Sequence, residues 1–351
     1  MSATAAKGPV AGPETGMATD KVLLSVEDLK LDLRDENGWV RVLDGVSFDI
    51  RPKETLGVVG ESGCGKSMTA LSIMQLLPPR SARTEGRINF AGRDLLSLSR
   101  RQMSRIRGRN ISMIFQEPMS ALDPVFTVGA QIRETVQCHF DVSKREADER
   151  AIDALDSVGI AAPRQVAQLY PMSLSGGMRQ RVMIAMALVC EPDLIIADEP
   201  TTALDVTIQS QIMDLLLNLS QKRGTAILFI THNLALVSQN CDRMITMYGG
   251  QIIEGGPVSE VLARPLHPYT TGLLHSIPDA GRARGTLNAI PGRVPSLRAM
   301  PPGCRFEPRC PHATAHCTQA VALERIAERQ IRCHRWQELA GSAAPMTAGA
   351  L

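Results

Sequence analysis

Two hydrophobic patterns follow one another along the chain. Apolar and polar residues alternate over Leu23–Leu33 and Val40–Ile50, with a polar stretch between the two segments. Such alternation predicts two half-exposed strands joined by a turn. Several later segments are short and largely apolar, as expected of strands buried on both faces of a sheet. They are Leu56–Gly60, Ile111–Gln116, Leu194–Asp198, Ala226–Thr231 and Arg243–Tyr248.

Segments of helical character lie between these predicted strands. Strands that alternate with helices predict an α/β fold, in which a mostly parallel sheet is covered on both faces. Two of the helices fall in a polar insertion at about 117–180. The predicted helices are Lys66–Leu77, Val128–Phe140, Ser143–Val158, Gly177–Val189 and Asp205–Gln221.

The 351 residues suit one large domain with a small appendage. We expect the large domain over 21–284, with the helical insertion as a subdomain, and a loop-rich, Cys-rich module over 285–338. The small and polar residues of 1–20 and 339–351 predict disordered tails.

Composition narrows the class of partner. The net charge is +2 and aromatic residues make up 3% of the chain, so we expect no nucleic-acid partner. The longest apolar run, which ends at Cys190, is far shorter than the roughly 20 residues that span a bilayer. Residues 1–20 lack the apolar core of a signal peptide. We therefore expect a cytosolic protein that reaches the membrane only through a partner.

A phosphate-binding loop follows the strand Leu56–Gly60. Its backbone N–H groups and the start of the next helix would hold the phosphates of a nucleotide. Lys66 can reach the β- and γ-phosphates, and the Ser67 hydroxyl can bind Mg²⁺. Cys64 occupies a position that the loop pattern leaves free, so we interpret it as incidental. The loop consists of Gly60, Glu61, Ser62, Gly63, Cys64, Gly65, Lys66 and Ser67.

Two further segments carry chemistry. Asp198 and Glu199 end an apolar strand. Asp198 can hold Mg²⁺, most simply through a bound water, and Glu199 can act as general base on the attacking water. Upstream, Ser175, Gly176 and Gly177 open a helix. Their hydroxyl and N–H groups predict a second anion site.

Together with Gln116, Ala203-Leu204-Asp205 and His232, these segments resemble the ATPase subunits of ATP-binding-cassette (ABC) transporters over roughly residues 22–275. The resemblance implies a phosphate-loop ATPase core with an antiparallel β subdomain and a helical subdomain. Gln116 would sense Mg²⁺ and the attacking water and couple to the membrane subunit. His232 would contact the γ-phosphate, and Asp205 would link two ATP sites.

The resemblance also implies a head-to-tail dimer, in which Ser175–Gly177 caps the ATP held by the partner's loop. Hydrolysis would then release the dimer and move the membrane domains. Three features depart from the general family. Met178 replaces the usual Gln and Asn233 a common Asp, and the adenine-stacking aromatic expected near Asn37 is missing, although Trp39 lies two positions away.

Four cysteines cluster near the C-terminus with the spacing Cys304-x5-Cys310-x6-Cys317-x15-Cys333. A segment so poor in apolar residues predicts a metal centre that stabilises it, and four thiolates favour zinc or iron–sulfur. The spacing lacks the paired C-x2-C of zinc ribbons, which favours a [4Fe–4S] cluster over Zn²⁺. The alternative ligands are His312, His316 and His334.

The segments 266–270, 290–297 and 303–311 resemble the C-terminal extension of the ATPases of oligopeptide/dipeptide importers. Met178–Val182 is similar to the first of their two ATPase subunits. The resemblance implies a paralogous ATPase partner (or a homodimer), two membrane permease subunits and, indirectly, an extracytoplasmic binding protein. The protein would lie at the cytoplasmic face of the inner membrane. The alternatives are nickel, glutathione or oligosaccharide as cargo, or a soluble ABC ATPase acting on nucleic acid.

Overall fold

The computed structural model describes residues 22–117, 121–200, 206–276 and 290–340. Asp205, the predicted tail 1–20 and almost all of the predicted tail 339–351 lie outside the described residues. The strands are, in chain order, β1 Leu24–Asp35, β2 Gly38–Ile50, β3 Thr55–Val59, β4 Ala82–Phe90, β5 Arg93–Asp94, β6 Ile111–Ile114, β7 Leu194–Asp198, β8 Ala226–Thr231, β9 Arg243–Tyr248, β10 Gln251–Pro257, β11 Glu324–Ile326 and β12 Arg329–Ile331.

Helices cover the sheets and fill the insertion. Within the described part of the chain, no helix is long and apolar enough to cross a membrane. The helices are α1 Lys66–Ile73, α2 Arg100–Ile106, α3 Val128–His139, α4 Lys144–Ser157, α5 Pro163–Val166, α6 Gly176–Leu188, α7 Val206–Arg223, α8 Leu234–Asn240, α9 Val258–Ala263, α10 Pro268–His275 and α11 Trp336–Ala340.

The central sheet has eight strands in the order β11-β12-β10-β9-β3-β8-β7-β6. Strands β9, β3, β8, β7 and β6 run parallel. All residues of β7 and β8 are buried, which confirms the prediction of strands covered on both faces. Because the carboxyl ends of parallel strands meet at one edge, the residues that follow β3, β6, β7 and β8 come together there.

The second sheet is antiparallel, in the order β2-β1-β4-β5. In β1 the buried side chains change from even positions, Leu24 and Val26, to odd positions, Leu29 and Leu31. One register shift of the β1–β2 pairing lies between Val26 and Leu29, where Asp28 has a φ of +46°. This bulge keeps the apolar residues on the core face although the sequence alternation changes phase.

A tight turn at Gly249 and Gly250 joins β9 and β10 and supports the phosphate-binding loop. Both glycines have positive φ, +52° and +81°, as a two-residue turn of type I′ requires. The Gly250 N–H donates to the Cys64 carbonyl at 2.8 Å. A Cβ on Gly250 would lie 2.0 Å from the Val42 carbonyl oxygen, so the close approach requires glycine.

The insertion is helical, as predicted. Helices α3 and α4 begin at Thr127 and Ser143, whose side chains accept hydrogen bonds from the backbone N–H groups of Ala130 and Glu146. Their apolar faces belong to the same buried cluster as residues of β7 and β8. The insertion is therefore packed against the central sheet.

Helix α1 is shorter than the sequence predicts, because it ends at Ile73 rather than Leu77. Gln75 has a φ of +49°, which ends the helical path. The Arg107 guanidinium donates to the carbonyl oxygens of Met74 and Gln75, at 2.7 and 2.8 Å. This distant side chain satisfies the carbonyls at the helix end.

The C-terminal module is tied into the central sheet, which the sequence did not indicate. It adds β12 to β10, pairing Ile331 with Glu254 and Gln330 with Gly255. The Glu254 carboxylate is fully buried and accepts from Arg329 of β12 at 2.5 Å. Strands β11 and β12 have three residues each, too few for a recognisable alternation.

Candidate ATP-binding site

The phosphate-binding loop leaves β3 and enters α1, as predicted. Gly65 is the residue before the first helical turn and has a φ of +108°, so no side chain occupies the start of α1. The N–H groups there remain available to an anion. A Cβ on Gly60 would lie 2.3 Å from the Met247 carbonyl oxygen, which explains glycine at the loop's first position.

Lys66 is buried within the loop that it closes. Its ammonium donates to the carbonyl oxygens of Gly60 and Glu61, at 2.8 and 3.2 Å. The same Nζ lies 3.9 Å from Oε1 of Glu199. The charge is therefore held against the backbone of the loop and close to the predicted general base.

Ser67 and Asp198 form a pair of oxygen donors at the start of α1 and the end of β7. The Ser67 hydroxyl donates to Oδ1 of Asp198 at 3.0 Å. Burial raises the pKa of Asp198, and the hydrogen bond from Ser67 opposes that shift. A hydroxyl beside a carboxylate is a donor set that fits Mg²⁺.

Glu199 is the point on which the other predicted residues converge. Its Oε2 accepts from Nε2 of Gln116 at 3.3 Å and lies 3.2 Å from Nδ1 of His232. Its φ is +45°, a left-handed conformation that costs a non-glycine residue on the order of 1–3 kcal/mol. Its backbone N–H donates to the Ile230 carbonyl of β8 at 2.9 Å, which holds this conformation.

Glu199 lines a pocket of about 550 Å³ together with Gln116 and His232. Trp39, the weak candidate for adenine stacking, lies elsewhere, with the Arg83 guanidinium 3.9 Å from its ring centroid. Cys64 also points away from the pocket, and burial raises the pKa of its thiol. The lining residues are Val42, Ser62, Gly63, Gly65, Lys66, Ser67, Met68, Gln116, Glu199 and His232.

The Ser175–Gly177 turn stands apart from this pocket. Ser175 is exposed and begins α6, where its Oγ accepts from the backbone N–H of Met178 at 3.3 Å. None of the three turn residues is among those that line the described pocket. The two unusual residues have local roles: Met178 packs partly buried against the core, and Asn233 caps α8.

Two family profiles match the chain. One, described as "ABC transporter", matches residues 43–202, and the other, "Oligopeptide/dipeptide transporter, C-terminal region", matches residues 253–317. A probable peptide ABC transporter ATP-binding protein of Sinorhizobium fredii is 53% identical over 304 residues, 86% of this chain and 91% of that protein. The chain belongs to the ABC transporter ATP-binding proteins.

Other relatives support the same placement. The oligopeptide transport ATP-binding protein AppD of Bacillus subtilis is 48% identical over 319 residues, 90% of this chain and 97% of that protein. A dimeric ATP-binding cassette solved with ADP and Pi superposes with a TM-score of 0.60 at 26% identity, covering 67% of this chain and 98% of that one. The ABC ATPase fold is thus confirmed, and the chain is an ATP hydrolase.

The second predicted site of this ABC ATPase is the group of four C-terminal cysteines. Cys304, Cys310, Cys317 and Cys333 are free thiols. Burial raises the pKa of Cys304 and Cys333 to about 11, and the neighbouring thiols act in the same direction. In the described ranges, however, no three His, Cys, Asp or Glu side chains, the predicted cysteines and the alternative histidine ligands included, are grouped so that they could hold a metal ion.

Four residues at the ATP site escaped the sequence analysis. Val42 and Met68 line the pocket, from β2 and α1. Arg309 and Tyr269 both contact Glu61 of the phosphate-binding loop. Arg309 stands directly before Cys310, in a segment that was noted for its cysteines and for its family resemblance. The sequence signal that could have drawn attention to Arg309 is its position directly beside a predicted metal ligand.

Proposed function

We propose that this ABC ATPase powers the import of dipeptides or oligopeptides across the inner membrane of a bacterium. The observation that carries the proposal is the combination of an ATP pocket centred on Glu199 with the oligopeptide/dipeptide transporter C-terminal region. Relatives named as peptide import ATP-binding proteins support it, including one of Brucella melitensis that is 48% identical over 297 residues, 85% of this chain and 90% of that protein.

Glu199 is the proposed general base. It takes a proton from the water that attacks the γ-phosphorus, while the bond between that phosphorus and the oxygen of ADP breaks. Gln116 and His232, both near Oε2 of Glu199, orient this carboxylate. Once ATP is bound, Gln116 contacts the water and His232 contacts the γ-phosphate.

Mg²⁺ is the proposed cofactor, and it would neutralise charge between the β- and γ-phosphates. Ser67 and Gln116 would hold it, together with Asp198 through a bound water. The 3.0 Å separation of the Ser67 hydroxyl and Asp198 carboxylate supports this set. Lys66 and the N–H groups of Gly60–Gly65 bind the phosphates.

ATP is proposed to be hydrolysed in a head-to-tail dimer with a paralogous ATPase, or with a second copy. The exposure of Ser175, and its absence from the lining of the described pocket, support a role toward the ATP of the partner. The structural neighbour solved with ADP and Pi is itself dimeric. Asp205, outside the described residues, is proposed to link the two sites.

The proposed membrane partners are two permease subunits, to which an extracytoplasmic binding protein delivers the cargo. Several large apolar side chains are exposed in and beside the helical insertion, close in sequence to Gln116, and support a docking surface there. This arrangement places the protein at the cytoplasmic face of the membrane. The exposed residues are Phe115, Val125, Phe126, Leu169, Tyr170 and Met172.

The four cysteines are proposed to hold a [4Fe–4S] cluster with a structural role. Four mutually interacting free thiols are a suitable donor set. When bound, the cluster would cross-link the segments that carry its four ligands.

The import function is tested by co-expressing the chain with the permeases and the binding protein encoded beside it. We expect co-purification with the permeases and ATP hydrolysis that a peptide-loaded binding protein stimulates. Stimulation by nickel, glutathione or an oligosaccharide instead of peptide would redirect the proposal to that cargo.

The cluster is tested by anaerobic purification followed by analysis of iron, acid-labile sulfide and zinc. We expect about four iron and four sulfide per chain, as in a [4Fe–4S] cluster. Stoichiometric zinc without sulfide would contradict the cluster and favour the alternative metal.

A further inference from the structure

The Cys-rich module reaches the phosphate-binding loop through one side chain. Two nitrogens of the Arg309 guanidinium donate to the two carboxylate oxygens of Glu61, at 2.6 and 3.0 Å. The Arg309 side chain is 4% exposed and the Glu61 side chain 30%. This bidentate geometry fixes the orientation of the carboxylate as well as its position.

The guanidinium is itself fixed by its surroundings. Its Nε donates to the Pro291 carbonyl at 2.9 Å, and a terminal nitrogen donates to the Ile290 carbonyl at 3.3 Å. The rings of Tyr248 and Phe306 lie 5.8 and 5.9 Å from its central carbon. Arg309 therefore has little freedom to follow Glu61 if the loop moves.

Glu61 passes this constraint to Lys66 of the same loop. Its N–H donates to the Tyr269 hydroxyl at 2.8 Å, and its carbonyl oxygen accepts from Lys66 Nζ at 3.2 Å. The residue is thus held at its side chain, its N–H and its carbonyl at the same time. A shift of Glu61 would move the oxygen that holds Lys66.

The charges give the contact a second consequence. Glu61 places a carboxylate in a loop built to bind a polyanion. An unpaired negative charge there would repel the phosphates, and Arg309 neutralises it through a short bidentate contact.

We propose that Arg309 is a positioning residue for ATP binding, which holds Glu61, and through it Lys66, in place and offsets the Glu61 charge. The C-terminal module would then contribute to nucleotide affinity as well as to the fold. The inference rests on the part of the proposed function that assigns Gly60–Ser67 to the phosphates.

The test measures the Kd of the full-length chain for a non-hydrolysable ATP analogue with Mg²⁺. In Arg309→Gln the Kd should rise at least about tenfold, equivalent to 1.4 kcal/mol. Adding Glu61→Gln to that variant removes the unpaired carboxylate, so the double variant should bind more tightly than Arg309→Gln alone. A purely structural role would make the two substitutions additive or worse.

The control is Arg243→Gln. Arg243 is also largely buried and paired with carboxylates, Asp49 and Glu54, but it lies at the start of β9, at the opposite end of the sheet from the loop. It should lower thermal stability and leave the Kd within about twofold of the wild type.

Three results would separate the possibilities. If Arg309→Gln lowers the melting temperature but binds the analogue like the wild type, the positioning role is wrong. If the wild type itself binds no analogue, the assigned ATP site fails and not merely this inference. Should Arg309→Gln not fold, Arg309→Lys, which keeps the charge and loses the bidentate geometry, should show a smaller rise in Kd; an unchanged Kd would contradict the role.

Discussion

Two turns of this ABC ATPase, Gly60–Ser67 and Leu174–Met178, each place glycines at the start of a helix, yet their surroundings differ. The first turn is enclosed: Lys66 is buried, and Glu199, Gln116 and His232 face it across one pocket. In the second turn Ser175 is exposed, and its side chain accepts a hydrogen bond from its own helix.

Under the proposed function, the difference separates a complete site from half of one. Both turns offer helix N–H groups to an anion, but only the first has the lysine, the proposed Mg²⁺ ligands and the proposed base beside it. In the proposed dimer, the second turn acts on the ATP that another chain holds. We therefore expect substitutions in the two turns to fail at different steps.

Glu199→Gln should have the largest effect. Loss of a general base lowers kcat by about 10²- to 10⁴-fold, while ATP binding should persist because the phosphate contacts remain. ATP turnover by the purified chain, or by the assembled transporter, is the measurement. Turnover at the wild-type rate would show that Glu199 is not the general base.

Lys66→Ala should fail one step earlier. Because the ammonium is the positive charge of the proposed phosphate-binding loop, its loss should weaken ATP binding by roughly tenfold or more, since each factor of ten is 1.4 kcal/mol. Titration with a fluorescent ATP analogue measures this directly. Wild-type affinity in this variant would contradict the assignment of the enclosed turn.

Ser175→Arg tests the exposed turn. A bulky cation there should leave ATP binding by a single chain unchanged and should abolish ATP-dependent association. The ATP turnover rate should fall at least about tenfold, equivalent to 1.4 kcal/mol. Light scattering with and without the analogue, performed in the Glu199→Gln background, reports the association. An Arg variant that still dimerises and hydrolyses ATP would mean that the turn is not half of an ATP site.

A pH dependence of stability should arise near the enclosed turn, behind Tyr269. Burial lowers the pKa of His267 to about 3, well below its ordinary value of 6.5. The unfolded chain therefore binds the proton first, so stability is full above about pH 6.5 and falls as the pH drops toward 3. His267→Asn keeps an acceptor for the Tyr269 N–H but cannot titrate.

The melting temperature of this variant should consequently fall less steeply between pH 6.5 and 4.5 than that of the wild type. Parallel curves would show that His267 does not titrate in this range. The effect is the smallest of those predicted here. Carboxylates also titrate over the lower half of the interval in both proteins, so the removal of His267 changes only part of the pH dependence.

Much of the ATP site could be predicted because it is local in sequence or imposed by parallel strands. The loop pattern names Lys66 and Ser67, and a parallel sheet brings Glu199 and His232 to the same edge. Adenine stacking on Trp39 was a weaker prediction, and Trp39 is not among the residues that line the pocket, whereas Val42 of the same strand is.

The contacts between the core and the C-terminal module could not be predicted. Arg309 and Glu61 are 248 positions apart, and no periodic pattern links residues at such a distance. The pairing of β12 with β10 involves too few residues to leave an alternation. The cysteine spacing drew the interpretation toward a metal, whereas the described contacts of the module are mainly arginines bound to the core.

The buried Glu254 has a consequence for any shortened form of this protein. Its cation, Arg329, comes from the module, and β12 covers the edge of β10. A chain cut after 276 would keep every ATP-binding motif but would leave that carboxylate without its cation and the edge of β10 open to other strands. An isolated cassette of this kind should therefore aggregate, and its loss of activity would say nothing about catalysis.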